Sequence, residues 1–324
     1  MGYLDDGLWR VGSVAPRTAD GRFVRQASRI RNWITRDGSP GPTGRGGFPA
    51  ESGRYHLYVS LACPWAHRTL IFRELKGLAP HVSVDVVHPW LGPDGWSFDT
   101  DAEGSTGDRV NGKRLLREIY LASDPQATGK VSVPVLWDKA EGVIVSNESA
   151  EIIRMFNSAF DGITGNRLDF WPEALREEID AVNDRVYRGL NNGVYRAGFA
   201  HSQEAYDEAA AEVFATLDWL EARLGRQRYL LGDRITEADW RLATTLFRFD
   251  LVYHGHFKCN RRRLVDHAAL WPYARELYQV PGVAATVNFG QIARHYYTSH
   301  EGINPSRIVP IGPDIDWSEP HRRG

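Results

Sequence analysis

The most constraining feature of this chain is a junction near its first cysteine, where an extended apolar segment gives way to a helical pattern across Cys63 and Pro64. Residues 55–59 contain enough aromatic and β-branched side chains, from Tyr55, Tyr58 and Val59, to predict a buried strand. Proline suits the first position of a helix, because its missing N–H would be unpaired there in any case. The pattern predicts a strand, a turn and a helix that begins at Pro64, with Cys63 as its cap.

A thiol at a helix N-terminus differs chemically from an ordinary buried cysteine. The unpaired N–H groups and the positive end of the helix dipole favour the thiolate, which lowers the cysteine pKa and makes the sulfur nucleophilic. The alternative is a cysteine that acts only as a small buried hydrophobe. Ala66 stands where a second cysteine of a dithiol motif would be, so the electron partner must be an external thiol. His67 and Arg68 either add positive potential near the sulfur or form a solvated surface.

The bulk composition excludes several classes of function. A chain of 324 residues with 42% hydrophobic and 25% charged residues is typical of a globular protein with two domains. A net charge of -2 gives no electrostatic case for nucleic acid or an anionic membrane, and the basic run at 258–263 is interpreted as a solvated face. The two cysteines, Cys63 and Cys259, are far apart, and the N-terminus has no signal-peptide core. We therefore expect a cytoplasmic protein without a disulfide framework.

The first half of the chain alternates strand and helix patterns. Residues 1–53 are rich in Gly, Pro and Arg, which predicts a loop-dominated arm that wraps the first domain. The order predicted after this arm is strand, helix, strand, helix, hairpin and helix. The segments that follow the first helix are a strand at 81–90, a Gly- and Asp-rich insertion at 91–112 around Trp96, a helix near 113–121, strands at 131–138 and 142–146, and a helix that opens at Ser149.

From Trp171 onward, strand patterns disappear and helical periodicity dominates. Thr236 and Asp239 have the spacing of a capping box at the start of one helix. The segment after Tyr296 includes Pro305, Pro310 and Pro313, which predicts an irregular tail. A long amphipathic helix is predicted from an apolar stripe that consists of Tyr206, Ala210, Val213, Leu217, Leu220 and Leu224.

Several of these features together resemble the glutathione transferases. They are the C-P-W-A cysteine at a strand-to-helix turn, a Val133-Pro134 pair before a hairpin strand, a Glu148-Ser149 pair at a helix start, and an all-helical second half. Within that superfamily, the insertion with Trp96 and the late tyrosines are similar to the Xi class, the glutathionyl-hydroquinone reductases. The resemblance implies an N-terminal arm at 1–53, a thioredoxin-like glutathione-binding domain at 54–160, an all-helical domain at 171–295, and a C-terminal tail at 296–324.

The resemblance also implies roles at a glutathione site, with Cys63 as the nucleophile. Pro134 would follow a cis peptide bond, and Val133 would pair through its main chain with the cysteinyl part of glutathione, as an added strand does. Ser149 and the helix N-terminus would bind the γ-glutamyl carboxylate, while Glu148 would neutralise the amine. A strand-edge proline and a simple helix cap would explain the same residues without a ligand. The further implied contacts are Trp96 at the glutathione and Lys130 at the glycyl carboxylate.

Three tyrosines separate the Xi class from other transferases, and the matching positions are Tyr195, Tyr253 and Tyr296. A phenol can donate a hydrogen bond to a hydroquinone oxygen and pack against an aromatic ring. The resemblance implies Tyr195 or Tyr296 as a proton donor and Tyr253 as a substrate-binding residue. Tyr297 adjoins Tyr296, so this assignment could shift by one position.

The implied reaction is reductive removal of glutathione from a glutathionyl-hydroquinone. A Cys63-glutathione mixed disulfide would form and would be resolved by a second glutathione, releasing glutathione disulfide. The alternatives are an omega-like thiol transferase or dehydroascorbate reductase, and a non-catalytic binding protein with the same fold. We expect a homodimer, from the resemblance, and no metal. His254, His256 and Cys259 lie close together in sequence, but zinc usually requires four ligands in paired spacing.

Overall fold

The computed structural model describes residues 1–12 and 18–323, and it divides into two compact units. The first unit contains residues 1–12, 26–168 and 286–295. The second unit contains residues 18–25, 169–285 and 296–323. Among the helices of the described residues, none is long and apolar enough to cross a lipid bilayer.

The first unit is built on a four-stranded mixed sheet with helices. The central strand β3 pairs in parallel with β4 and antiparallel with β7, and β7 pairs antiparallel with β8. This arrangement confirms the predicted thioredoxin-like order. The elements of the unit are β1 (Gly2–Asp5), β2 (Leu8–Val11), β3 (Tyr55–Val59), α1 (Pro64–Leu75), β4 (Val82–Val86), β5 (Leu91–Gly92), β6 (Gly95–Trp96), α2 (Leu116–Ser123), β7 (Val135–Asp138), β8 (Val143–Ser146), α3 (Ser149–Ser158) and α4 (Asp161–Thr164).

The N-terminal arm is more ordered than the sequence pattern predicted. Its first residues form the antiparallel hairpin β1–β2. The turn consists of Asp6 and Gly7, which both have positive φ, at 48° and 76°. An Asp-Gly pair favours a two-residue hairpin turn, so the signal was present in the sequence. Residues 18–25 of the arm belong to the second unit, and residues 13–17 lie outside the described part of the chain.

The second unit is helical, which confirms the predicted all-helical half. Single π-helical turns follow α5 at Tyr187–Asn191 and α8 at Phe249–Tyr253, and short 3₁₀ turns lie at Glu173–Leu175 and Leu264–Asp266. Its helices are α5 (Arg176–Val186), α6 (Gly193–Gly198), α7 (Gln203–Leu224), α8 (Glu237–Arg248) and α9 (Leu270–Tyr278).

Of two detailed predictions for these helices, the structure corrects one and confirms the other. In α7, the buried positions near the N-terminus are Ala205 and Ala209, whereas Tyr206 and Ala210 are only half-buried. The buried stripe therefore begins one residue earlier than the pattern indicated. At the start of α8, the predicted capping box is confirmed, because the Asp239 carboxylate accepts hydrogen bonds from the backbone N–H and the hydroxyl of Thr236.

The last helix, α10 (Phe289–Ser299), corrects the prediction of an irregular tail from Tyr296. Ile292, Tyr296 and Ser299 are buried at helical spacing, which gives the helix an inward face through its final turn. The proline signal begins only at Pro305, and the chain is irregular from there. Trp317 is buried near the end of the tail, with its ring 5.5 Å from that of Phe247.

Candidate functional site

Cys63 lies at the turn between β3 and α1. Its backbone is extended, with φ -77° and ψ 120°, and it is the N-cap residue of a helix that begins at Pro64. Its N–H donates to the carbonyl of Ser60 at 3.1 Å, and its own carbonyl accepts from the N–H of His67 at 3.0 Å. The side chain is half-buried, and its sulfur lies 3.6 Å from the carbonyl oxygen of Val133. The predicted strand, turn and helix are therefore confirmed.

The two basic residues that follow in α1 point inward. His67 and Arg68 have relative exposures of 0% and 2%, so the solvated-surface alternative is wrong. The Nε2 of His67 lies 2.8 Å from the hydroxyl of Thr286. The Arg68 guanidinium lies over the ring of Trp65, 4.6 Å from its centroid. Arg68 thus adds a buried positive charge to the helix that Cys63 caps.

The segment before β7 carries the predicted cis bond. The peptide bond between Val133 and Pro134 is cis. Val133 is buried, and its carbonyl is the group near the Cys63 sulfur. The preceding residue, Ser132, is fixed by the hydroxyl of Tyr120, which donates to its carbonyl at 2.8 Å. The structure therefore brings Cys63 and Val133 together.

The start of α3 carries the predicted acidic and hydroxyl pair. Glu148 is the N-cap residue, and its carboxylate accepts a hydrogen bond from the N–H of Ala150 at 3.0 Å. Ser149 is the first residue of the helix and is 3% exposed. One turn later, the buried Glu151 carboxylate accepts from Nε of Arg31 at 3.0 Å. Glu148 thus serves as a helix cap, and it remains half-buried.

Trp96 and Lys130 occupy contrasting environments in the first unit. Trp96 ends β6, is 6% exposed, and stacks on His295 with ring centroids 5.0 Å apart and planes at 22°. The Nδ1 of His295 lies 2.8 Å from the carbonyl oxygen of Pro89, which fixes the ring under the tryptophan. Lys130 is exposed and directly follows Gly129, whose backbone pairs with Leu4.

Asp85 ties the insertion that carries Trp96 to strand β4, a function that the sequence pattern did not predict. Its fully buried carboxylate accepts from the backbone N–H of Arg109 at 2.7 Å and from its Nε at 2.6 Å. Thr106 donates to the same group at 3.2 Å, and His56 lies 3.3 Å away. Burial alone would raise the pKa of Asp85, but hydrogen bonds from His56 and Arg109 outweigh it and lower the pKa to about 2.

The three predicted tyrosines meet in the second unit. Tyr195 lies on α6, Tyr253 ends the π-turn after α8, and Tyr296 lies on α10. The hydroxyls of Tyr195 and Tyr296 are 2.5 Å apart, and those of Tyr253 and Tyr296 are 3.0 Å apart. They form a hydrogen-bonded row with Tyr296 in the middle, which we call the phenol chain. The neighbouring Tyr297 instead donates to the carbonyl of Leu251 at 3.3 Å, so it is not part of the chain.

The phenol chain is deeply buried and surrounded by rings. The relative exposures are 8% for Tyr195, 0% for Tyr253 and 1% for Tyr296. Burial raises the pKa of both Tyr253 and Tyr296 well above the usual value for a phenol, against an opposing effect of Arg248. Both are therefore protonated at neutral pH and can donate hydrogen bonds.

The cluster of His254, His256 and Cys259 is not arranged as a metal site. The Nε2 of His256 lies 3.1 Å from Nδ1 of His300, and burial lowers the pKa of His256 to about 4. Burial also raises the pKa of Cys259, to about 12, which makes that thiol unreactive. Across the described parts of the chain, no group of three or more His, Cys, Asp or Glu side chains could hold a metal ion.

Two family models match this chain. The model described as "Glutathione S-transferase, N-terminal domain" matches residues 62–159, which include Cys63 and the segment of Val133. The model described as "Glutathione S-transferase, C-terminal domain" matches residues 203–276, within the helical unit. The two matches follow each other along the chain in the same order as the two halves of its fold.

Similarity to known proteins extends over almost the full length. Glutathionyl-hydroquinone reductase YqjG of Escherichia coli (strain K12) is 56% identical over 323 residues, which cover 100% of this chain and 98% of that protein. Glutathionyl-hydroquinone reductase PcpF of Sphingobium chlorophenolicum is 49% identical and covers 97% of this chain and 96% of its own length.

The solved structures agree with this similarity. The glutathione-bound structure of YqjG superposes with a TM-score of 0.93 at 54% identity, covering 99% of both chains. The Xi Class GST from Natrialba magadii superposes with a TM-score of 0.91 at 49% identity, covering 100% of this chain and 96% of that one.

Proposed function

We propose that this chain, which belongs to the glutathione S-transferase family and within it to the Xi-class glutathionyl-hydroquinone reductases, reduces glutathionyl-hydroquinones to hydroquinones. The observation that carries the proposal is the sequence similarity to YqjG and PcpF, at 56% and 49% identity over almost the full length. Both proteins are named for this activity. A half-buried Cys63 at the N-terminus of α1 supports it, because this is where a reactive thiolate is favoured.

Glutathione is the proposed co-substrate, as it is the ligand in the solved structure of YqjG. Val133 would pair through its main chain with the cysteinyl part, next to the Cys63 sulfur. Ser149, Glu148 and the N-terminus of α3 would hold the γ-glutamyl end. Further along the tripeptide, Trp96 would contact glutathione, Pro134 would shape the same loop, and Lys130 would meet the glycyl carboxylate.

The proposed chemistry consists of two thiol exchange steps. The Cys63 thiolate attacks the glutathionyl sulfur of the substrate, so a sulfur–sulfur bond forms and the bond from sulfur to the aromatic carbon breaks. The electron pair of that broken bond stays on the carbon, which takes up one proton and yields the hydroquinone. A second glutathione thiolate then attacks the mixed disulfide, which releases glutathione disulfide and regenerates the Cys63 thiolate.

The phenol chain is the proposed source of the proton. Tyr195 is more exposed than Tyr296, which supports Tyr195 as the phenol in contact with the substrate and Tyr296 as the one that replaces its proton. For the fully buried Tyr253, we propose a contribution to substrate binding through the hydroxyl of Tyr296. The high pKa values of Tyr253 and Tyr296 support this assignment, because both keep their protons at neutral pH.

We also propose that the protein is a cytoplasmic homodimer that acts without a metal. The resemblance to the Xi class supports the dimer, and a reducing compartment suits an enzyme whose described cysteines are both free thiols. Light scattering coupled to size-exclusion chromatography would measure the mass in solution. A monomer at micromolar concentration would contradict the dimer and leave the proposed chemistry untouched.

The activity is tested with a glutathionyl-hydroquinone and glutathione, with hydroquinone and glutathione disulfide measured as products. We expect equal amounts of the two products from the wild type, and a loss of at least about a thousandfold in Cys63→Ser, because the nucleophile is removed. Mass spectrometry of the wild type should detect glutathione attached to Cys63 when the second glutathione is omitted.

Two outcomes would contradict this function. Normal turnover by Cys63→Ser would exclude the mixed disulfide. Absence of turnover by the wild type, together with efficient reduction of dehydroascorbate, would instead support an omega-like activity. Cys259→Ser is the matched control, since it removes the other thiol of the chain and should leave turnover close to that of the wild type.

A further inference from the structure

The N-terminal segment at 18–25 places a cation on the phenol chain. The guanidinium of Arg25 lies over the ring of Tyr195, with its central carbon 4.6 Å from the ring centroid. Its Nε donates to the side-chain oxygen of Asn192 at 2.6 Å, which fixes the orientation of the guanidinium. Phe23, in the same segment as Arg25, packs on Phe199 with ring centroids 5.4 Å apart. Arg25 is therefore held against the most exposed of the three phenols.

A second guanidinium acts on the other end of the phenol chain. Arg248, at the end of α8, has a relative exposure of 0%, and its Nη1 donates to the carbonyl of Thr244 at 2.8 Å. Its charge acts on Tyr253 and Tyr296, where it opposes the effect of burial and favours the ionised form. Positive charge therefore reaches all three members of the phenol chain, from two different elements.

Two histidines also lie beside Tyr296. His256 and His300 form a hydrogen-bonded pair whose rings pack edge to face against Tyr296, with centroids 6.4 and 5.4 Å from it. Burial lowers the pKa of His256 to about 4, so it is neutral at pH 7. A row of protonated phenols beside two guanidinium groups stabilises a negatively charged oxygen more than a neutral one.

We propose that Arg25 and the phenol chain form an oxyanion site, which binds the aromatic substrate through a phenolate oxygen and makes Arg25 a determinant of substrate charge. The inference deepens the proposed function by naming the ionisation state of its substrate. Tyr195 donates the hydrogen bond to that oxygen, and Arg25 supplies the charge. Aromatic substrates with a more acidic hydroxyl then bind more tightly at a given pH.

The test measures binding of para-nitrophenol, whose ionised form absorbs visible light, to the full-length protein. We expect saturable binding of the phenolate and a lower apparent pKa for the bound probe than for the free probe. In Arg25→Gln, which keeps hydrogen-bonding capacity but loses the charge, phenolate affinity should fall about tenfold, as expected for one partly screened charge interaction. Arg25→Lys, which keeps the charge, should recover part of this loss.

Matched controls separate charge recognition from anchoring of the segment. Arg22 lies in the same segment and holds it to α7 through Glu208, at 3.1 Å from Nε and 2.7 Å from Nη2. Arg22→Gln removes an equal charge away from the phenol chain, so its phenolate affinity should match the wild type. The neutral analogue para-nitroanisole should bind wild type and Arg25→Gln equally, because it has no charge to lose.

The proposal is overturned by any of four results. These are absence of phenolate binding by the wild type, equal phenolate binding by wild type and Arg25→Gln, or the same loss in Arg22→Gln or with para-nitroanisole. Cys63→Ser keeps the phenol chain and should bind the probe normally. Probe binding without any glutathionyl-hydroquinone turnover would therefore reject the proposed function but not the oxyanion site. Turnover without probe binding would reject the oxyanion site but not the proposed function.

Discussion

The Cys63 turn and the phenol chain differ in how they are built. Cys63 obtains its environment from adjacent residues, since the strand, the turn and the first helical turn are continuous in sequence. The phenol chain joins hydroxyls that are 101 and 43 positions apart, and it exists only once the helices have packed. A local motif thus places one thiol at a helix N-terminus, while tertiary packing assembles the proposed proton donor. Changes in each region should therefore have separable effects.

The largest separation is expected between the two thiols, because only one has the local motif. We expect chloroacetamide at neutral pH to alkylate Cys63 at least about a thousandfold faster than Cys259, whose burial raises its pKa to about 12. Peptide mass spectrometry over time gives the two rates. Glutathione should slow alkylation of Cys63 only. Comparable alkylation rates for the two cysteines in the folded protein would show that the helix N-terminus does not make Cys63 more reactive.

The next effect concerns the middle of the phenol chain. Tyr296→Phe keeps the ring but removes the hydroxyl that bonds to both Tyr195 and Tyr253. We expect turnover of a glutathionyl-hydroquinone to fall about a hundredfold, in the range typical of a lost general acid. Reduction of a small glutathione mixed disulfide should change little, because that reaction needs no proton on carbon. Steady-state assays with both substrates measure how much more the variant loses with the glutathionyl-hydroquinone than with the mixed disulfide.

The control for that change is its neighbour in sequence. Tyr297→Phe removes a hydroxyl that bonds to the carbonyl of Leu251, outside the phenol chain. Turnover should stay within about a fewfold of the wild type, since exposed or weakly bonded hydroxyls contribute little. If Tyr297→Phe were as impaired as Tyr296→Phe, or if both substrates suffered equally, a distinct role for the phenol chain would be rejected.

The sequence allowed the Cys63 region to be predicted because its signals lie side by side. Residues 55–59 indicate the strand, Pro64 indicates the helix start, and Cys63 lies between them. The cap at Thr236 was predictable for the same reason. The hairpin at Asp6 and Gly7 carried an equally local signal that the high Gly, Pro and Arg content of the arm concealed.

The other parts of the candidate site depend on tertiary packing, which no local sequence pattern encodes. With 13 tyrosines in the chain, Tyr195, Tyr253 and Tyr296 could be singled out only through the family resemblance. The contact between Arg25 and Tyr195 could not be predicted either, because Arg25 lies in an irregular segment with no periodic pattern. The Asp85 contact with Arg109 likewise required the fold, although an aspartate inside a strand pattern is itself a signal of a buried partner.

A smaller effect is expected from Asp85, which orders the insertion of Trp96. Its pKa is about 2 in the folded protein against 3.8 for an ordinary aspartate, because His56 and Arg109 favour the ionised form more than burial opposes it. Its stabilisation is therefore complete above about pH 4 and lost as the pH falls towards 2, about 2 kcal/mol in all. Denaturant titrations across this window should show a shallower decline for Asp85→Asn than for the wild type.

Asp94→Asn is the matched control for Asp85, since Asp94 lies in the same insertion and pairs with Arg117 at 3.0 Å on the surface. Exposed ion pairs contribute little, so its free energy of unfolding should resemble the wild type at neutral pH. A steep decline with falling pH that persisted in Asp85→Asn would assign the acid sensitivity to other carboxylates.

The smallest effect tests whether a local signal in the helical half has any catalytic role. In Thr236→Ala, the buried Asp239 carboxylate loses one of its donors and α8 loses its capping hydroxyl, so the free energy of unfolding should fall by about 1 kcal/mol. Thr236→Ser keeps the hydroxyl and should lose less. Because α8 leads into the turn that ends at Tyr253, turnover at a temperature where the variant is folded shows whether the cap only stabilises the helix. We expect wild-type turnover there, and a loss as large as that of Tyr296→Phe would mean that the phenol chain depends on this local motif after all.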